Sequence, residues 1–395
     1  MWNTIDLKKI FLYAFILHIS TIIIFYQNYI TIWRVLDILM IGLFVCYIIY
    51  KNKNFRLNPL IKLYALFVLF SFASSLWSID FEVTSFKSMQ MLLIIINLTV
   101  IYYFMAVFNL KKAFLLGVLL GSFVNYLIVF ELVSVPFDIA MDGRYFGTTG
   151  NPNALATLML MSMFLSMLHL IEASNKKNFF YYYQYVNILL AVFTILLTVS
   201  KKGIIFGSIL LLYYIVLSLK SKEGFKRLVF LMSAGAVAAF FLIDWNQVYD
   251  YIEDVIYRFD AMSSGLGTAT DTKNSTEIRK NLILLGLRIF QDQPIMGYGL
   301  DTFRFLSGGQ YAHNNFIELL VGVGFFGFFL FYSMYVYLLF FFSRMPKSSI
   351  KNLLVMFVLI LLSMDVALVS YGDKLTIYML LFLSLYVNNI KIKTI

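Results

Sequence analysis

The chain has 395 residues, of which 61% are hydrophobic and 13% are charged, and its formal net charge is +10. With a mean hydropathy of +0.83, it carries more apolar surface than a soluble protein of this length can bury, so a polytopic membrane protein is expected. The basic residues are scattered between apolar segments, which fits membrane topology better than a nucleic-acid partner. The single cysteine, Cys46, excludes a disulfide framework and a cysteine-based metal site.

Apolar runs of about 20 residues, the length that crosses a bilayer, predict an all-α bundle of about twelve transmembrane helices. No linker divides the chain, so residues 1–395 are expected to form a single integral membrane domain. The first run follows Lys8 and Lys9 without a small-residue cleavage site, which favours a retained span over a signal peptide. The predicted spans lie near 10–26, 33–50, 60–77, 89–108, 113–133, 153–171, 181–199, 203–219, 227–243, 315–342, 350–370 and 375–390.

The distribution of charge predicts the orientation. With both termini in the cytoplasm, the inner segments hold 19 of the 31 basic residues but only 3 of the 21 acidic ones, as the positive-inside rule requires. Arg144, in the outer loop 134–152, and Lys201 and Lys202, in a tight outer turn, are exceptions. These cations indicate that something on the outer face attracts positive charge.

One long extracytoplasmic loop, residues 244–312, is predicted between the ninth and tenth spans. Residues 249–260 have the pattern of an amphipathic helix lying at the interface, and the polar, glycine-containing run 261–276 is typical of a mobile flap. Residues 277–292 form a second predicted helix. On it, Arg279 and Arg288 are nine residues apart and point to opposite sides, so they cannot share one phosphate.

Directly after this loop, His313, Asn314 and Glu318 stand at the mouth of the tenth span, where polar groups are costly and are candidates for function. His313 can act as a general base, since an ordinary histidine pKa of about 6.5 lies near working pH. Asn314 and Glu318 are four residues apart and share a helix face, so Glu318 could orient the Asn314 amide or neighbouring groups.

The cations of the outer face suit an anionic ligand with an apolar tail, such as a lipid phosphate or pyrophosphate. No HExxH, Cys/His cluster, Walker loop or DxD pair occurs in the sequence. Chemistry at the outer face without a nucleotide needs a substrate that is already activated, and a polyprenyl pyrophosphate is one.

Four blocks of the sequence stand out, namely GRYFGTTGNPNALA (143–156), SKKG (200–203), EIRKNLILLGLRIFQDQPIMGYGLDTF (277–303) and AHNNFIELLVGVGFFG (312–327). In order and spacing they resemble the signature blocks of the O-antigen ligase and Wzy-type polysaccharide polymerase superfamily. The resemblance implies a membrane-embedded glycosyltransferase of the bacterial cytoplasmic membrane, independent of metals and cofactors. Such enzymes transfer a glycan from undecaprenyl pyrophosphate to a hydroxyl acceptor at the outer face.

The resemblance also implies roles for individual residues. His313 matches the catalytic histidine, and Arg279 and Arg144 match arginines that hold the pyrophosphate. The family usually has Arg after Ser in the short turn, whereas this chain has Lys201 and Lys202.

Structural alternatives stay open for several of these residues. Arg144 could bind loop carbonyls, and the two lysines could extend to the membrane interface. Asn151 is a supporting candidate that could equally cap the sixth span. Asp365, near the outer end of the eleventh span, could support the site or form an ion pair with Lys374 or a site cation.

The sequence therefore favours a polymerase of surface polysaccharide, such as a capsule polymerase, acting on undecaprenyl-pyrophosphate-linked oligosaccharide. A ligase that moves the finished glycan to another acceptor, such as a lipid A core, is the close alternative. A transporter or flippase of the same lipid-linked oligosaccharide is an alternative from another class. Expected partners are membrane lipids and the chain-length regulator and flippase of the same pathway.

Overall fold

The computed structural model describes residues 7–24, 57–108, 111–141, 143–172, 179–220 and 270–393, with isolated residues between these ranges. These ranges are almost entirely helical, and one short antiparallel ribbon pairs Ala140–Met141 (β1) with Arg144–Tyr145 (β2). The helices run Leu7–Ile24 (α1), Pro59–Ala73 (α2), Phe81–Phe108 (α3), Lys111–Val129 (α4), Pro152–Glu172 (α5), Phe179–Leu197 (α6), Lys201–Leu219 (α7), Thr270–Asp292 (α8), Phe303–Leu306 (α9), Asn315–Ser343 (α10), Ser349–Met364 (α11) and Lys374–Lys393 (α12).

The described chain is an all-α membrane protein. Seven segments are long and apolar enough to cross a bilayer, namely α2 with the 3₁₀ turn Ser74–Trp77 that follows it, α3 to α7, and α10. Helices α1, α11 and α12 contain shorter apolar stretches. The predicted spans 33–50 and 227–243 and the predicted interfacial helix 249–260 lie largely outside the described residues. The total of twelve spans therefore stays a prediction.

Helix α5 is the centre of the bundle. Its span is 83% buried, and it packs against α4, α6, α7 and α11. An apolar helix that is buried on all sides has no face for lipid, as expected at the centre of a bundle. The first residue of α5, Pro152, and the last, Glu172, therefore mark the two ends of the bundle, about 30 Å apart at the helical rise.

Helix α8 is longer than its sequence pattern predicts. It begins at Thr270, so the second half of the predicted flap 261–276 is helical, while residues 261–269 lie outside the described part of the chain. Both glycines of this polar run, Gly265 and Gly267, precede Thr270. No strong helix breaker therefore separates Thr270 from the predicted helix.

Helix α10 is interrupted at Gly324, where φ is 61° and ψ is −170°. An interruption leaves backbone groups without intrahelical partners, which is costly inside a membrane unless other groups satisfy them. The segment 294–299 supplies these partners on both sides of the break. The pairs, at 2.7–3.3 Å, are Tyr298 N to Val321 O, Gly299 N to Gly322 O, Phe325 N to Pro294 O and Phe326 N to Ile295 O.

Candidate active site

His313 stands exposed immediately before α10, with a backbone φ of 51°. A non-glycine residue in the left-handed region costs about 1–2 kcal/mol, so the surrounding structure must hold it there. Although the residue is exposed, the protein packed beside the ring removes part of its hydration, and this desolvation, followed by the nearby charge of Arg279, lowers the pKa of His313 below its ordinary value. The imidazole is therefore neutral, and able to accept a proton, at lower pH than an ordinary histidine.

Asn314 and Glu318 hold the backbone on either side of His313. The Asn314 side chain caps α10 by accepting hydrogen bonds from Phe316 N and Ile317 N. Glu318, which is 2% exposed, accepts a hydrogen bond from the buried Ala312 N at 2.8 Å. Of the two expected partners, Glu318 thus binds a neighbouring group, the Ala312 N–H, and not the Asn314 amide, because the reversal at His313 brings Ala312 over the first turn of α10.

Asn315 fastens the start of α10 to the turn that follows α11. Its amide nitrogen donates to Tyr332 Oη and to Asp365 Oδ2, at 3.0 and 3.3 Å. Its amide oxygen accepts from the backbone N–H groups of Ser370 and Tyr371. With 0% exposure and four hydrogen bonds, Asn315 fixes the position of the helix that begins next to His313.

Asp365 belongs to this connection and not to the interior of a span. Helix α11 ends at Met364, and Asp365 is its C-terminal cap. The carboxylate accepts from Tyr332 Oη at 3.1 Å as well as from Asn315. Burial raises the pKa of Asp365 to about 7. The side chain therefore has hydrogen-bond partners within the protein, and its charge also acts on Lys202.

The charge of Arg279 acts on both Lys202 and His313, and burial lowers the pKa of Arg279 itself from the ordinary value. Helix α8 reaches this place because Leu282, one turn after Arg279, packs with Ile317 of α10 in a small apolar cluster. Arg288 is exposed, as expected from its place on the other side of α8.

The predicted turn with Lys201 and Lys202 is the first turn of α7. Ser200 caps the helix by accepting from Gly203 N, and its hydroxyl contacts Asn153 Oδ1 at 2.8 Å. The two lysines therefore project from a helix start, which fixes their backbones more tightly than a loop would. Hydroxyl residues are favoured helix caps, so Ser200 was a readable signal for this start.

Arg144 and Asn151 make the structural contacts that the sequence left open. Arg144, on β2, donates from Nε to Thr198 O at 3.1 Å, at the connection between α6 and α7. Asn151 accepts from Asn153 N and Ala154 N and so caps α5. These contacts bring the block 143–156 beside the block 200–203 at one end of the bundle.

A neighbouring set of charged residues had no distinctive pattern in the sequence. Asp301, with a φ of 66°, accepts from Tyr371 Oη at 2.9 Å and lies 3.8 Å from Arg304. Lys87 stands 5.5 Å from the centre of the Tyr371 ring. The charges of Asp301, Lys87 and Arg304 all act on Glu318. These charge interactions add Lys87, Asp301 and Arg304 to the candidate site, next to Glu318.

Chemically, this arrangement combines a neutral imidazole with cations that can bind phosphate oxygens. Within the described ranges, no group of three or more His, Cys, Asp or Glu side chains is placed to hold a metal ion.

Residues 186–332 match the family model described as O-antigen ligase. No curated protein and no solved structure matches the chain. The matched segment runs from α6 into α10 and contains Lys202, Arg279, His313 and Glu318, whereas Arg144 lies before it. Over residues 186–332, the match supports the resemblance of this chain to the O-antigen ligase and Wzy-type polymerase superfamily.

Proposed function

We propose that the protein is a polysaccharide polymerase of the bacterial cytoplasmic membrane. It transfers an undecaprenyl-pyrophosphate-linked glycan onto a sugar hydroxyl of a second lipid-linked repeat unit, at the outer face and without metal or cofactor. Both termini lie in the cytoplasm. The observation that carries the proposal is that the charge of Arg279 acts on both His313 and Lys202. The family match supports a reaction on lipid-linked oligosaccharides.

In the proposed reaction, the acceptor hydroxyl oxygen attacks the anomeric carbon of the donor glycan. The bond between that carbon and the pyrophosphate oxygen breaks, and undecaprenyl pyrophosphate leaves with the bonding electrons. His313 takes the hydroxyl proton, a contribution of about 10²–10⁴ in rate for a positioned general base. The pKa of His313 is lowered by its surroundings, which keeps the imidazole unprotonated for this step.

Arg279 and Lys202 stabilise the negative charge that develops on the departing pyrophosphate, the kind of electrostatic stabilisation that usually contributes most to catalysis. Lys201 and Arg144 extend the cationic surface at the start of α7. Glu318 and Asn314 act as positioning residues, because they hold the backbone of His313. Asn151 and Asp365 support the site by fixing α5 and α10.

A ligase is the second candidate, since the matching family model carries that description. The same base and cations would serve it, and only the acceptor would differ. For either reaction we propose membrane lipids as surroundings, with a chain-length regulator and a flippase of the same pathway as partners.

The test is to incubate purified protein with an undecaprenyl-pyrophosphate-linked repeat unit, a chelator and no nucleotide, and to resolve products by glycan length. A ladder that His313→Ala abolishes is the expected result. Transfer of a single glycan only when a lipid A core is added would establish the ligase. An unchanged glycan with either acceptor would contradict both the polymerase and the ligase and would favour a transporter of the lipid-linked oligosaccharide.

A further inference from the structure

A second group of charged side chains surrounds a cavity at the other end of the bundle. The cavity has a volume of about 220 Å³ and lies between α4, α5 and α12. Its polar lining consists of Lys111, Lys112, His169 and Glu172, with the Tyr386 ring beside them. We call this cavity the Lys111 pocket.

The Lys111 pocket is separate from the candidate active site. Helix α5 starts with the cap Asn151, beside the start of α7, and ends at Glu172 in the Lys111 pocket. Its 21 residues span about 30 Å at the helical rise. No group assigned to the transfer reaction therefore reaches the pocket.

Aromatic rings hold the two ammonium groups in place. Lys111 Nζ is 3.7 Å from the centre of the Tyr386 ring, and Lys112 Nζ is 5.3 Å from that of Phe180. Cations over aromatic faces are attracted by the ring quadrupole. The charge of Glu172 acts on Lys111, whereas Lys112 stands near His169. Of the described groups that line the pocket, two are ammonium cations and one is a carboxylate.

The lining changes from polar to apolar with depth. Leu115 lies four residues after Lys111 on α4, and Leu168 lies four residues before Glu172 on α5. Four helical residues correspond to a rise of about 6 Å, so Lys111 and Glu172 each have an apolar neighbour about that far towards the bundle centre. Phe382 stands in the same relation to Tyr386 on α12.

We infer that the Lys111 pocket binds an anionic phospholipid, with its phosphate at Lys111 and Lys112 and the start of an acyl chain along Leu115 and Leu168. Basic pockets between transmembrane helices suit such headgroups. The apolar residues deeper in the pocket favour a lipid over a free phosphate ion, because a phosphate ion has no apolar part that could contact them. The inference is independent of the proposed transfer reaction.

Native mass spectrometry of the detergent-purified protein tests the inference, with dioleoyl-phosphatidylglycerol and dioleoyl-phosphatidylcholine as probes. Phosphatidylglycerol is expected to bind more tightly. The double variant Lys111→Gln/Lys112→Gln is expected to weaken it by about fivefold per lysine, the effect of about 1 kcal/mol per cation near an anionic lipid. Lys220→Gln, at the exposed C-terminal end of α7 and outside the pocket, is the matched control and is expected to bind normally.

Glu172→Gln gives a second test with the opposite sign, and Glu172 is exposed, so the variant is expected to fold. Removing this carboxylate is expected to strengthen phosphatidylglycerol binding. Equal binding of both lipids, a double variant that binds like the Lys220→Gln control, or weaker binding in Glu172→Gln would overturn the inference. Displacement of the lipid by inorganic phosphate at comparable concentration would identify an ion site and would also overturn it.

Discussion

Replacing Gly324 with alanine tests whether the break in α10 holds the segment 294–299 against the helix. A Cβ at this position would lie 2.7 Å from Met296 N and closer still to the carbonyl of Ile295, both rigid backbone groups. The positive φ alone costs about 1–2 kcal/mol for a residue with a side chain. The steric conflict also separates segment 294–299 from α10, and its four backbone hydrogen bonds contribute about 1 kcal/mol each. The expected loss of stability is therefore about 5–6 kcal/mol.

Gly308→Ala is the matched control. Gly308 has a similar φ of 73°, but a Cβ there meets nothing within 4 Å. Thermal unfolding in detergent, followed by intrinsic fluorescence, is the assay. At about 2 °C per kcal/mol, the expected decrease in Tm is about 10 °C for Gly324→Ala and about 2–4 °C for Gly308→Ala. Equal decreases in the two variants would refute the reasoning, because they would leave only the backbone strain that both glycines share.

Three further changes probe the site. Glu318→Gln keeps an acceptor for Ala312 N–H and is expected to retain most stability, whereas Glu318→Ala should lose about 1–3 kcal/mol; equal Tm values would contradict this. Arg279→Gln removes a charge that lowers the pKa of His313, so the acidic limb of the pH profile of kcat/KM should move to higher pH. An unchanged acidic limb would show that the charge of Arg279 does not act on His313. Asn315→Leu leaves two buried backbone N–H groups without acceptors, at a cost of about 1–3 kcal/mol each. Its Tm should therefore fall well below that of the unmodified protein. An unchanged Tm would contradict the role of Asn315 in connecting α10 to the turn after α11.

The sequence predicted the helices well, because a span needs about 20 apolar residues and little else. Except for 33–50 and 227–243, each predicted span coincides with a described helix. The cluster around His313 was also recognisable, since polar groups at the mouth of an apolar run are unusual. Helix ends were harder to predict. The first turn of α7 was read as part of a loop because its lysines mask the start of an otherwise apolar helix.

Contacts between distant segments could not be predicted. Asn315 and Asp365 are fifty residues apart, and nothing in either local pattern indicates that they meet. The break at Gly324 depends on backbone pairs whose members are 23 or 31 residues apart, and several glycines in the same stretch could have accommodated it. The roles of Lys87 and Asp301 near Glu318 likewise follow from packing alone.

The most direct test of the central claim is the transfer rate of His313→Asn. Asparagine tolerates positive φ, so the variant keeps the backbone while removing the base. The account predicts a rate about 10²–10⁴ times lower with an unchanged Tm, whereas Gln310→Ala, an exposed side chain three residues earlier, should transfer normally. A His313→Asn variant that transfers at the rate of the Gln310→Ala control would contradict the assignment of His313 as the base.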